Sequence, residues 1–381
     1  MSFAGVSLPW HPHWLADGGS RVHAVRDPQA VLELQPELSD LGRRAGQPGA
    51  MDDLNYFLRW LESRGKAPWL ISVAPESEHG VLEGAVLMYE HRLGGYGLRI
   101  LAAFDETGRR TLVSQGMDSI EFALEATRKM LREGAQCILI SFRHGEEELD
   151  PALVESLATE GHSLRWACRR KNLASYLKIE STLDDTLAPM GMRTRKHMRY
   201  YMRRAANDLG ATFVPNPAIS IEEFMELNNI SAYRATEEVA RWRYSSCSAA
   251  KKPVLYGLRD RDGRWLSMIG GLHAGDYMEL YWQMNRDDMK QYSLGTAMRA
   301  FMLEHEISLG TKRFYVEGGT SHTMSNAFVH EPCTDLLVLR DTAAARAIPA
   351  LVKRFVPPEN PMYEFLEHPE LIWHSVRGRR Y

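Results

Sequence analysis

One order of elements occurs twice along this chain of 381 residues: a helix, antiparallel strands, a second helix, a closing strand. That order constrains the fold more than any single motif. It describes a small α/β unit, and two such units account for a length too great for one ordinary core. No residue-level repeat accompanies it. The first copy begins with a helical stripe over 52–64, Leu54, Phe57, Leu58 and Leu61, with Asp52 or Asp53 able to cap it. Short apolar strands follow at 69–74, 82–89 and 98–104, and 111–114 extends the sheet. A helix over 120–132 is stopped by Gly134, and 137–142 is a buried strand.

The second copy repeats this. Helices are expected at 221–233 and 237–246 and strands at 254–259, 265–273 and 277–284, turned at Asp262-Gly263 and Gly275-Asp276. A helix over 296–308 closes at Gly310 and hands over to a strand at 313–317. The expected fold class is therefore α/β (α+β), two units of mostly antiparallel sheet flanked by helices. The first unit spans 51–178 and the second 179–340. An irregular arm precedes them at 1–50, with one short helix over 28–42, and an extension follows at 341–381. The acidic run 146–150 reads as a solvated approach to a helix over 151–159, and 165–178 as a strand leading into the second copy.

Composition supports a folded, water-facing protein: 44% hydrophobic and 25% charged residues. A net charge of -3 argues against a generally nucleic-acid-coating surface. Cys137, Cys168, Cys247 and Cys333 are scattered with no Cys-x-x-Cys pair, which points to a reducing compartment. No basic-then-apolar start resembles a signal peptide, and no apolar run approaches the roughly 20 residues of a membrane span. A cytoplasmic location is the expectation. His11 and His13 alone are a poor metal ligand set, so with Trp10 and Trp14 they read as a packing segment, and no metal is expected.

Three constellations carry chemistry. At the first, strand 279–284 leads to a turn where Gly295 opens a helix. Unpaired N–H groups, the helix dipole, a missing Cβ and the hydroxyls of Ser293 and Thr296 together suit a pyrophosphate. A glycine in an ordinary strand–helix turn is the plainer alternative. The second is a basic helix over 192–209. Arg195, Arg199 and Arg203 form an i, i+4, i+8 row, flanked by Arg193, Lys196, His197, Tyr200 and Arg204, opposite an apolar face of Met198, Met202, Ala205 and Leu209. The row suits a phosphate-rich ligand such as a nucleotide sugar, CoA or tRNA, or else is a solvated face. The third surrounds the end of the last strand. Glu317 is the candidate base for an ammonium and His322 its runner-up, with Glu279 and Tyr281 on the neighbouring strand. A turn cap and a surface histidine are the structural alternatives.

Tyr292-Ser293-Leu294-Gly295-Thr296, the segment 298–306, Gly310, and Arg313-Phe314-Tyr315-Val316-Glu317-Gly318-Gly319 resemble the second half of GNAT-type domains in the CelD/BcsL family, tandem-GNAT proteins related to the FemAB-type transferases. The segment 192–209 resembles that family's Arg/Lys-rich helix. The resemblance extends over residues 50–340. It implies two tandem GNAT-like units, the second holding the active site and the first binding no cofactor. It further implies acyl transfer from acyl-CoA (acetyl-CoA) to a small-molecule amine: a sugar, an amino acid or a precursor in envelope polysaccharide synthesis. Tyr292, Ser293, Leu294, Gly295, Thr296 and Ala297 would hold the pyrophosphate, and Tyr281 would protonate the leaving thiolate. This chain departs from the pattern in three ways. Tyr292 stands at the usual Gln/Arg position, Leu294 replaces a Pro, and no Lys lies near His322 and Thr323. Two other outcomes stay open: transfer from aminoacyl-tRNA, or a non-catalytic accessory role.

Overall fold

The computed structural model describes residues 22–47, 53–63, 65–74, 81–93, 98–103, 111–113, 118–143, 149–160, 163–247, 250–316, 324–356, 361–368 and 371–377. The first half contains β1 (Val22–Val25), α1 (Pro28–Glu33), α2 (Gln35–Arg44), α3 (Leu54–Ser63), β2 (Ala67–Val73), β3 (Gly84–Leu93), β4 (Leu98–Ala103) and β5 (Thr111–Val113). It continues with α4 (Ser119–Arg132), β6 (Cys137–Arg143), α5 (Pro151–Glu155) and β7 (Leu164–Lys178). The second half has α6 (Leu183–Leu187), α7 (Met192–Leu209), β8 (Thr212–Pro215), α8 (Ile221–Asn229), α9 (Glu237–Cys247), β9 (Pro253–Arg259), β10 (Trp265–Ala274) and β11 (Tyr277–Asn285). Then come α10 (Leu294–Leu309), β12 (Arg313–Val316), β13 (Val329–Arg340), α11 (Ala343–Arg346), α12 (Ile348–Phe355), α13 (Pro361–Leu366) and β14 (His374–Val376).

All strands join one sheet in the order β1-β2-β3-β4-β6-β13-β7-β12-β11-β10-β9-β8, with β5 on β3 and β14 on β7. Two neighbours are parallel, β4 with β6 across α4 and β11 with β12 across α10; the others are antiparallel. Each half thus has antiparallel strands, a crossover helix and a parallel partner, as expected. The β7–β12 pair, Lys178 opposite Arg313 and Leu177 opposite Phe314, joins the halves.

The apolar run of β6 is continuous because both its faces are covered. Ile138 and Ile140 pack in one core with Phe122 of α4, while Cys137 and Leu139 pack in another with Ile348 and Phe365 of the C-terminal helices. Burial pushes the Cys137 thiol up from its ordinary value, making it an inert core residue. In the second half, α7 and α10 share a core with Met278 and Leu280 on one sheet face, and Phe224 of α8 packs with Trp282 and Met284 on the other.

The arm read as irregular is structured over its described part. β1 adds to the sheet edge beside β2, Val22 opposite Val73. The expected single helix over 28–42 is two, because Pro36 lacks an N–H and its ring excludes the preceding carbonyl turn; the break falls at Leu34. The Trp-His segment 10–14 lies outside the described residues. The main element the sequence reading lacked is β13. It comes from the end of the second half yet lies between β6 and β7, Leu336 opposite both Ile140 and Cys168.

Candidate functional site

The site lies at the carboxyl end of the second parallel pair. β12 pairs with β11 from Arg313 opposite Tyr277 to Val316 opposite Leu280, the last described residue of that segment. β11 runs on to Asn285, held there by β10 through Gln283 opposite Ile269 and Asn285 opposite Ser267. A bulge in β11 falls next to the last described pair. Gly271 faces Leu280 and Gly270 faces Trp282, so Tyr281 is skipped by the ladder. A Cβ on Gly271 would stand 1.8 Å from the Glu279 carbonyl oxygen, so only glycine permits this approach. A crevice beyond the carboxyl ends of parallel strands is where open α/β sheets take ligands.

The N-terminus of α10 opens at this same end. The helix starts at Leu294, two residues before the expected Thr296. Ser293 precedes it in a left-handed conformation, φ 45°, and offers no side-chain cap. The N–H groups of Thr296 and Ala297 turn back to the Ser293 carbonyl at 2.8 and 3.1 Å. Those of Leu294 and Gly295 have no acceptor among the described residues. Leu294 and Ala297 are core side chains, so only their backbones can meet a ligand. The hydroxyls of Ser293 and Thr296 are 3.3 Å apart, and Tyr292 lies under the Arg204 guanidinium, 4.9 Å from ring centre. The equivalent helix of the first half differs. Asp118 caps α4, its carboxylate accepting from Ile120 and Glu121 at 2.7 and 3.2 Å. One helix end already holds an anion, and the other is uncapped.

Polar side chains that the sequence reading missed underpin the open turn. Gln283 donates to the Gly295 carbonyl and to Asn285 Oδ1, both at 3.1 Å, and accepts from Arg299 Nε at 3.0 Å. Ser267 donates to Asn285 Oδ1 at 2.7 Å. The signal was present: Gln283 and Asn285 interrupt an apolar strand, and Arg299 follows Gly295 by one helical turn.

The helix α7 packs beside α10, and Arg204 donates to the Gln291 carbonyl at 2.9 Å, tying the basic helix to the turn. Arg199 pairs with Asp184, and Arg203 donates to the Arg199 carbonyl at 3.2 Å. Arg195 has no carboxylate partner among the described residues, and Tyr200 is 49% exposed. Arg204 thus sits next to the α10 N-terminus, while within the row one of the three arginines is in an ion pair.

Tyr281 is on the α8/α9 side of the sheet. Its ring stacks on Tyr56 of α3, centres 4.1 Å apart, and its hydroxyl donates to Glu279 at 3.2 Å. It thus bridges the two halves, while the open turn is on the other face of β11. Glu317 and His322 lie outside the described residues. Val316 is the last described residue before them, and it ends β12 at the crevice. Away from the site, Glu306 is fully buried and accepts from Tyr256 at 2.6 Å, Thr311 at 2.5 Å and His273 at 2.8 Å, fixing the far end of α10 to the sheet.

Among solved structures, FemX is similar to this chain with a TM-score of 0.53 and 12% identity, over 79% of this chain and 95% of that one. The chain has a FemX-like fold. A tandem GNAT protein from the clavulanic acid biosynthesis pathway is also similar: TM-score 0.46, 14% identity, 84% of this chain and 98% of that one. So is L-PGS from Bacillus licheniformis: TM-score 0.44, 12% identity, 75% and 89%. No protein-family model matches, and no curated protein matches in sequence. The two α/β units of mostly antiparallel strands flanked by helices, expected from the element order, are the observed architecture. Among the described residues, no cluster of three or more His, Cys, Asp or Glu could hold a metal, and no helix is long and apolar enough to cross a membrane.

Proposed function

We propose that the protein moves an acyl group from acyl-CoA, acetyl-CoA being the simplest donor, to the amino group of a sugar, amino acid or envelope precursor. The observation that carries this reading is the uncapped N-terminus of α10 beside the carboxyl ends of β11 and β12. Donor phosphates would take the N–H groups of Leu294 and Gly295, beside the hydroxyls of Ser293 and Thr296. The thioester would then run towards those carboxyl ends. Glu317, which follows the end of β12, is the proposed base for the acceptor ammonium, and His322 its alternate. Tyr281, on the opposite face of β11, is the proposed proton donor to a thiolate that reaches it past the carboxyl ends of the strands, on leaving its bond to Glu279. The motif over 292–319 supports a CelD/BcsL-like assignment within this fold.

A second reading, transfer from aminoacyl-tRNA, is favoured by α7. Its exposed Arg193, Lys196 and Arg203 have no carboxylate partner among the described residues, and they extend a cationic surface beyond what one pyrophosphate needs. Thermal unfolding with acetyl-CoA, and separately with deacylated tRNA, decides between them. A rise with acetyl-CoA supports the first reading and a rise with tRNA alone the second. A melting temperature moved by neither removes both.

A further inference from the structure

Three of the more buried arginines come with a carboxylate. The side chains of Arg169, Arg286 and Arg313 are 7%, 15% and 19% exposed and pair with Asp335, Asp288 and Asp276. Arg299 breaks the pattern. It sits half-buried on α10, one turn after Gly295, and no carboxylate pairs with it among the described residues. Its Nε donates to Gln283 Oε1 at 3.0 Å, and its Nη1 meets Met324 Sδ at 3.9 Å. Burial pulls the guanidinium below the ordinary arginine value, with the Tyr233 phenol opposing that pull. Arginine nonetheless keeps its charge at neutral pH. A desolvated cation with no counter-ion among the described residues is suited to an anion from outside.

Gln283 fixes which edge of Arg299 is offered. Its amide nitrogen is committed to Asn285 and Gly295, so its oxygen is left for Arg299, and that bond uses Nε. The two terminal nitrogens remain, without an oxygen acceptor among the described residues. They lie between α10, the part of β11 beyond its last described pair with β12, and Met324, where the described chain resumes after β12. The loop after α8 borders the same place. Buried Asn228 holds Ala235 through both amide atoms, at 3.0 and 3.1 Å, and Ala232 donates to the Asn285 carbonyl at 3.1 Å. This loop presents Tyr233, 76% exposed, within electrostatic reach of Arg299.

We propose that Arg299 binds the carboxylate of the acceptor, making that acceptor a free amino acid or another amino-carboxylate instead of a neutral amino sugar. This rests on the acyl-transfer reading above: donor phosphates take the helix N-terminus and the acceptor takes the next turn. A planar guanidinium receives a carboxylate through two parallel N–H···O bonds, which a lysine cannot reproduce.

The test is thermal unfolding of the full chain with each common L-amino acid, its carboxamide, glucosamine and glucosamine 6-phosphate. At least one amino acid is expected to raise the melting temperature by about 2 °C or more, and its carboxamide is not. Arg299→Gln should abolish the shift while unfolding, unliganded, at the wild-type temperature or higher, because an unpaired charge has been removed. Should that variant fold poorly, Arg299→Lys keeps the charge and is expected to weaken binding of the same amino acid about tenfold. Carboxamides or glucosamine stabilising as well as the acid would overturn the proposal, as would no amino acid stabilising at all. A shift with glucosamine 6-phosphate alone would assign the fork to phosphate and equally overturn it. A lower unliganded melting temperature for Arg299→Gln would make the arginine a structural post. Acetyl-CoA and tRNA shifts measured on the same wild-type sample report on the donor, so failure of the donor reading is told apart from failure at Arg299.

Discussion

Single side chains divide here into those that meet ligands and those that hold helix ends. Gly295 belongs to the proposed donor site. A Cβ there would stand 3.1 Å from Asn285 Nδ2, tight contact beneath the turn proposed for the donor phosphates. Gly295→Val should therefore weaken acetyl-CoA binding and leave the chemical step nearly unchanged in saturated enzyme. Glu317→Gln should do the reverse, lowering turnover about a hundredfold with donor affinity retained. Steady-state kinetics that separate kcat from KM check both. Glu306 is of the second kind. Burial pushes its carboxyl up, but the bonds from His273, Thr311 and Tyr256 and the attraction of His273 more than offset this, so it lies below the usual value. A carboxyl lowered in the folded state contributes stability that is complete above its unfolded pKa, about 4.3, and is lost as pH falls through the folded value. Glu306→Gln should cost about 1–3 kcal/mol at neutral pH and flatten the loss of stability below that unfolded value; denaturant melts across pH measure it. The open turn was legible in sequence because glycine and hydroxyl residues mark it. Gln283 and Arg299 left only a weak trace, polar residues interrupting apolar stretches, because their meaning lies in a bond between strand and helix sixteen positions apart in sequence.

Elements were read well where periodicity was strong. α4, α7 and α10 appear within two residues of expectation, since each buries a regular apolar stripe. The short edge strands β1 and β8 were missed, because four residues give too few turns of any period to recognise. For α7 the apolar face does the folding, with Met198 and Ala205 buried. Replacing Arg195, Arg199 and Arg203 together by Ala should keep the circular dichroism spectrum. The Arg199–Asp184 pair it removes is partly exposed and worth no more than about 1 kcal/mol. Affinity for tRNA or CoA should fall, and the slope of log affinity against log salt should flatten by about one unit per lost phosphate contact. An unchanged slope would make the row a solvated face.

At the scale of the whole molecule, the repeated order of elements did indicate two units, but not that they share strands. The run over 336–339 in β13 looks like any buried strand, and nothing local says which sheet will take it. What fixes it is a buried ionic bracket. Asp335, 1% exposed, accepts from Arg169 on β7 at 2.9 Å and from Ser141 on β6 at 2.5 Å, and Arg169 reaches on to Glu364 at 2.9 Å. Asp335→Ala leaves Arg169 buried with one exposed partner and should destabilise by about 3–5 kcal/mol. Combining it with Arg169→Met should recover much of that loss, measured by denaturant unfolding. For the same reason, the fragment 1–178 should not fold as a stable monomer, because the facing edges of β6 and β7 lose the strand between them. A sharp, monomeric melting transition for it would contradict this.

The placement of β13 also sets a clock. A ribosome making this chain delivers β6 and β7 early and their shared neighbour last, after roughly 150 further residues, about 10–30 s at ordinary elongation rates. For that interval the apolar β6 and the more cationic β7 lack the strand that pairs with both. The second half, apart from its borrowed pairing with β7, has its own strands complete before β13 emerges. The expectation is that the nascent protein closes from its C-terminal half inward, and that the first half completes its sheet only when β13 and, after it, β14 arrive. Its vulnerable period is synthesis itself, and a chaperone that shields strand edges near the exit tunnel would act on β6 and β7.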